Sequence, residues 1–117
     1  MEWNGLIVFL GTGDLKENAG FYEGILGLKL YKDQGVCRIY EVPGGGCLGF
    51  CTHLGVTQKD RAPIITILTD DVDLCYERLL DAGCEIAEAP RENAKFKIYH
   101  FFAKDPDGYT VEIQKFL

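Results

Sequence analysis

Lys104-Asp105-Pro106-Asp107-Gly108-Tyr109-Thr110-Val111-Glu112-Ile113 is the stretch whose reading decides the fold. Proline presets φ, the two aspartates can bond their own backbone, and glycine accepts the positive φ that closes a tight turn. The turn joins two runs rich in aromatic and β-branched residues, Phe96 to Ala103 and Tyr109 to Phe116. That is the pattern of a β-hairpin. In the second arm Val111 and Ile113 alternate with Thr110, Glu112 and Gln114, giving one apolar and one polar face. Glu112 is thereby a carboxylate in mid-strand, which by itself implies only a solvated outer face.

Upstream of the hairpin the same order of elements occurs twice. Leu6 to Leu10 is an apolar run too short for a helix, and is expected to be a strand buried on both faces. It breaks at Gly11-Thr12-Gly13, where Lys16 stands in place of the third glycine of a dinucleotide fingerprint. Asp14 then caps a helix whose stripe is Leu15, Ala19, Tyr22 and Leu26, with Gly27 as its stop. Three short strands follow, Leu28–Tyr31, Val36–Val42 and Cys47–Thr52, separated by Asp33-Gln34-Gly35 and Pro43-Gly44-Gly45-Gly46. Leu54 to Ala62 is a polar connector. The pattern restarts at the strand Ile64–Leu68. Asp71 caps a helix with the stripe Val72, Cys75, Tyr76, Leu79 and Ala82, and Gly83 stops it. Cys84 to Ala87 is expected as a strand and Pro90 to Lys95 as a loop. The expected fold is therefore α+β, a duplicated β-α-β-β-β module with halves at about residues 4–53 and 63–116 of a single 117-residue domain.

Composition narrows the function. A formal charge of −6 repels nucleic-acid phosphates. The apolar run from Gly5 to Gly13 is far too short to span a bilayer, and no basic segment with a cleavage site opens the chain, so neither a membrane anchor nor a secretory signal is expected. The five cysteines are odd in number and form no C-x-x-C pair, which argues against a disulfide framework and a zinc ribbon. Reduced thiols in a cytoplasm are the expectation. Cys47 and Cys51 share a strand face, with no neighbour that marks either as an activated thiolate. His53, at a strand end, is expected to be a solvated loop residue.

The doubled module, Phe21-Tyr22-Glu23-Gly24-Ile25-Leu26-Gly27-Leu28 at the first helix end, Asp70-Asp71-Val72-Asp73 through Ala82-Gly83, and Asp105-Pro106-Asp107-Gly108 before Val111-Glu112-Ile113 together resemble the vicinal oxygen chelate superfamily. Its members include glyoxalase I, extradiol dioxygenases, fosfomycin-resistance thiol transferases and bleomycin-resistance proteins. The resemblance covers essentially the whole chain. It implies strands curled into a cup around a cavity, often completed in a homodimer, and in the enzymes a divalent metal held by His, Glu or Gln from each first strand and a Glu from the last.

Transferred residue by residue, the metal positions are Ile7, Ile64 and Glu112, and the fourth-strand region Gly49 to Cys51 has no carboxylate. One carboxylate facing two isoleucines does not make a metal centre. No metal and no cofactor are expected. The family's strand phase implies that Ile7, Phe9 and Ile64 form an apolar wall, with His100, Phe102 and Glu112 lining the same cavity and Glu112 across the ladder from His100. Leu6, Val8 and Leu10 would then pack under a helix. The functional expectation is a binding protein for a small organic molecule, acting in the cytoplasm as a homodimer. The alternative is a lyase-, isomerase- or dioxygenase-like enzyme that uses His100 and Glu112 as an acid/base pair or in a non-standard metal site. A regulatory module with a vestigial pocket is a third possibility.

Overall fold

In the computed structural model, which describes residues 1–117, the Asp-Pro-Asp-Gly turn is closed by its own backbone and by one side chain. Gly108 N donates to the Asp105 carbonyl at 3.0 Å, and Asp105 N donates to Tyr109 O at 3.0 Å. The buried Asp105 carboxylate accepts from the amides of Asp107 and Tyr109, both at 2.9 Å. Gly108 takes φ 88°, a conformation that strains any residue with a Cβ. The turn sets the register of β7 (Ile98–Lys104) against β8 (Thr110–Phe116): Lys104 opposes Thr110, Phe102 opposes Glu112, and His100 opposes Gln114.

Two compact units divide the chain, residues 1–57 and 58–117. In the second, β5 (Ile64–Leu68) pairs parallel with β8, and β6 (Arg91–Asn93) pairs antiparallel with β7, giving the order β5-β8-β7-β6. Helix α2 (Val72–Asp81) packs on β7 and β8. Its buried Val72 and Leu79 belong to a core with Phe101, Ala103, Val111 and Ile113. The Tyr76 and Phe101 rings meet edge to face at 5.4 Å. Because side chains alternate along a strand, His100, Phe102, Thr110, Glu112 and Gln114 lie on the opposite face from this core.

Two expectations for this unit need correction. The strand expected at Cys84–Ala87 reduces to one bridge, Ile86 to Ala103, with Lys104 N bonded to Glu85 O at 3.0 Å. The edge strand forms instead at Arg91–Asn93, within the expected loop. Those three polar residues carry no strand pattern. The unpaired edge of β7 recruits them, and Asn93 Oδ1 closes the following turn by accepting from Lys95 N and Phe96 N at 3.1 and 3.3 Å. Asp71 does occupy the α2 N-cap, but its side chain makes no capping bond. Its own amide donates to Thr69 Oγ1 at 3.0 Å.

The first unit repeats the topology as β1-β4-β3-β2, with β1 Ile7–Gly11, β2 Lys29–Asp33, β3 Cys37–Glu41 and β4 Cys47–Cys51. Asp14 caps α1 (Leu15–Ala19) by accepting from Lys16 N at 2.8 Å and Glu17 N at 3.1 Å. The helix continues as a π-helical turn, Gly20–Ile25, and ends before Gly27 at φ 72°. The wider turn rotates the buried face away from the expected stripe: Asn18, Phe21 and Tyr22 are buried, whereas Leu15, Ala19 and Leu26 are only half-buried. Tyr22 stacks on Phe50 at 4.4 Å and lies 6.4 Å from Tyr40.

β1 is not the doubly buried strand expected. Ile7, Val8 and Phe9 are 39, 47 and 46% exposed, Leu6 is also exposed, and only Leu10 packs as expected. An apolar run marks burial on both faces only for an inner strand. β1 is an edge of its sheet, with a neighbouring strand on one side only.

Candidate functional site

The polar group of interest is assembled by three strands of the second unit. Glu112, in mid-β8, has β5 on one side and β7 on the other. Thr66 opposes it directly on β5, and its Oγ1 donates to Glu112 Oε1 at 2.7 Å. His100 Nδ1 meets Glu112 Oε2 at 2.7 Å. The contact is diagonal: the residue directly opposite Glu112 is Phe102, and His100 opposes Gln114. That corrects the expected position of His100 while preserving the contact, because diagonal neighbours on one face lie within reach of long side chains. The Gln114 amide, with its nitrogen turned toward Glu112, donates to Oε2 at 3.0 Å and Oε1 at 3.3 Å.

Glu112 and His100 are each only 8% exposed. A buried carboxylate needs partners, and this one has hydroxyl, imidazole and amide donors converging on two oxygens. Since the carboxylate is an acceptor, the imidazole hydrogen facing it sits on Nδ1. Glu112 thus fixes both the ring's orientation and its tautomer, leaving Nε2 as the nitrogen it does not engage. Phe102 packs its ring edge to face with His100 at 5.2 Å.

Phe102 lies at the boundary of two depressions on this unit. One, of about 200 Å³, is lined by Ile64, Phe102 and Thr110 together with Arg61, Glu85 and Lys104. The other, of about 80 Å³, is lined by His100 and Phe102 with Glu88 and Arg91. Glu112 lines neither and works from beneath, through His100. Ile64, His100, Phe102 and Glu112 are therefore one constellation on one sheet face. Ile7 and Phe9 belong to the first unit, where Ile7 borders a separate depression with Tyr31 and Cys47.

The donor set does not fit the divalent-metal centre implied by the resemblance. Two of its positions are isoleucines, Ile7 and Ile64, and Gly49 offers no side chain. Glu112 has both oxygens engaged by protein donors. Oxygen-loving cations require several convergent ligands.

A second group was not foreseen. Cys37 and Cys51 oppose each other directly across β3 and β4, with Cα atoms 4.1 Å apart, and are joined as a disulfide. This corrects the expectation that all five cysteines are free thiols. Spacing along the chain, 14 residues here, carries no trace of a cross-strand pairing. His53 is exposed as expected, but its Nδ1 lies 4.0 Å from Cys37 Sγ, so it is part of this group rather than an isolated loop residue. Cys47, Cys75 and Cys84 are free. Burial pushes the Cys75 and Cys84 thiols up, which leaves neither activated.

Comparison with known proteins agrees with this architecture. No curated protein matches the sequence significantly. Among solved structures, a glyoxalase/bleomycin resistance protein/dioxygenase from Nocardioides superposes with a TM-score of 0.77 at 21% identity, over 100% of this chain and 85% of that one. A glyoxalase/bleomycin resistance protein/dioxygenase family enzyme from Burkholderia phytofirmans PsJN gives 0.79 at 19% identity, over 95% and 97%. A glyoxalase-related enzyme from Fulvimarina pelagi gives 0.76 at 21%, over 96% and 87%. At these identities the likeness establishes the fold alone. The family model of the Glyoxalase/Bleomycin resistance protein/Dioxygenase superfamily matches residues 6–113, nearly the whole chain, and the protein belongs to that superfamily.

Proposed function

We propose that the protein binds a small organic molecule on the open face of its second sheet, against Ile64 and Phe102, with His100 as the polar anchor. The observation that carries this reading is the engagement of Glu112 by Thr66, His100 and Gln114. That arrangement presents a fixed imidazole beside apolar surface, a combination suited to recognition. In this tautomer Nε2 accepts a hydrogen bond, so the favoured ligand carries an N–H or O–H donor on an aromatic or aliphatic body. On the first unit, taken by itself, the exposed Ile7 and Phe9 are proposed as apolar ligand contacts of its own sheet. A thermal-shift screen of aromatic, cationic and carboxylate compounds tests the idea. Hits should lose binding in His100→Phe and Phe102→Ala; hits indifferent to both substitutions would remove the site.

The Glu112–His100 bond favours a second reading, an enzyme in which Nε2 takes a proton while Glu112 stabilises the resulting imidazolium. Deuterium exchange at an acidic C–H of a bound ligand, abolished by His100→Gln, would select it. The protein is further proposed to be a cytoplasmic homodimer. The exposed apolar β1 edge supports dimerisation, since a second copy would cover it. Light scattering that gives a monomer mass at micromolar concentration would reject the dimer.

A further inference from the structure

The proposed ligand site leaves the Cys37, Cys51 and His53 group of the first unit unused. Both sulfurs are buried, His53 is exposed, and one ligand atom from each residue falls within 4.8 Å of the other two. The backbone around them is pinned. Cys51 O accepts from Thr12 N at 3.0 Å, Cys37 O accepts from Gln34 N at 2.8 Å, and Thr52 N donates to Val36 O at 2.9 Å. Gly11, opposite Cys51 on β1, lies so close to the Leu54 and Gly55 carbonyls that a side chain there would collide with them. The segment carrying His53 therefore follows directly from β4, is tied at Thr52 to the residue before Cys37, and lies close against β1 at Leu54 and Gly55.

Two thiolates and an imidazole are the donor set of a thiophilic cation. In a tetrahedral zinc site the metal lies about 2.3 Å from sulfur and about 2.0 Å from nitrogen, which spaces ligand atoms by roughly 3.5–4 Å. The 4.0 Å between Cys37 Sγ and His53 Nδ1 already falls in that range. The two sulfurs reach it by rotating apart once their bond is broken. Nothing in the group is acidic, so calcium and magnesium are poorly matched.

We propose that Cys37, Cys51 and His53 form a redox-gated site for a zinc-class cation, with the disulfide as its closed state and the dithiol as its binding state. Opening takes two electrons and two protons from two molecules of a small cellular thiol, which leave as their own disulfide. Zinc then binds both sulfurs with release of the two thiol protons and accepts the neutral Nδ1 of His53 as third ligand. The fourth position stays open to water or to a ligand. Oxidation of the pair by a small-molecule disulfide, which takes up the two electrons and two protons and leaves as two thiols, re-forms the Cys37–Cys51 bond and ejects the metal as Zn²⁺, because a disulfide sulfur is no longer a thiolate donor.

The test uses the full chain reduced with a phosphine and titrated with Zn²⁺ against a chromophoric chelator, with Co²⁺ as the spectroscopic probe. Reduced protein should take one equivalent and show a tetrahedral cobalt–thiolate spectrum, whereas oxidised protein should take none at this site. His53→Ala should weaken binding about tenfold or more, and Cys37→Ser should abolish it. His53 is exposed, so its removal leaves the fold in place and keeps the test valid if Cys37→Ser is unstable. A Cys47→Ser/Cys75→Ser/Cys84→Ser background assigns the equivalent to the proposed pair. Failure of reduced protein to bind zinc would overturn the proposal, as would affinity unchanged by His53→Ala.

Discussion

In the first sheet Gly49 lies between Phe9 on one neighbouring strand and Ile39 on the other; in the second, Glu112 lies between Thr66 and Phe102. Two residues along, on the same face, Cys51 opposes Cys37 where Gln114 opposes His100. The two units share a strand order but carry different chemistry at equivalent points. In the first, the Phe9 ring occupies the space a side chain at 49 would need, with ring atoms 2.5 Å from a Cβ built there. In the second, the smaller Thr66 leaves that space to a carboxylate and supplies one of its donors. At this point the first sheet face carries a ring from its first strand, and the second carries a hydrogen-bonded carboxylate.

The comparison breaks most visibly at Glu112. Glu112→Ala leaves a buried imidazole and amide without their shared acceptor, along with the hydroxyl of the exposed Thr66, and should destabilise the protein by about 3 kcal/mol in urea unfolding. A loss below about 1 kcal/mol would mean that solvent already satisfies the group. At the equivalent point of the first sheet, Gly49→Ala should cost about 1–2 kcal/mol through its clash with Phe9. In a Phe9→Ala background that cost should vanish, and additivity in the double-mutant cycle would refute the packing account. Thr66→Val removes one donor at nearly constant volume and should cost about 1 kcal/mol. The smallest effect concerns the free thiols. With burial raising Cys75 and Cys84, their alkylation should begin at higher pH than that of a model thiol, and rates matching the model would contradict the burial.

The sequence alone determined what rests on local chemistry. Asp105-Pro106-Asp107-Gly108 specifies its turn whatever surrounds it, and the alternation after it places Val111 and Ile113 opposite Glu112. Gly27 and Gly83, at φ 72° and 78°, stop their helices as their spacing predicts. The duplication, and with it the superfamily, follows from such local signals repeated in order. His100 and Glu112 are assigned to one face by the turn's register together with the family's strand phase, because the strand carrying His100 is largely apolar on both faces and its own pattern does not choose between them.

Only the tertiary structure decided the rest, because it depends on which strands become neighbours. Arg91–Asn93 forms a strand through the open edge of β7, not through its own composition. The exposure of Ile7, Val8 and Phe9 follows from the edge position of β1, which an apolar run does not encode. Thr66 and Glu112 are 46 residues apart, and nothing in either segment announces their bond. Likewise Cys37, Cys51 and His53 meet because β3 runs antiparallel to β4 in one register and the chain turns back at its end. A shift of that register by one residue would send the two sulfurs to opposite faces and dissolve the group.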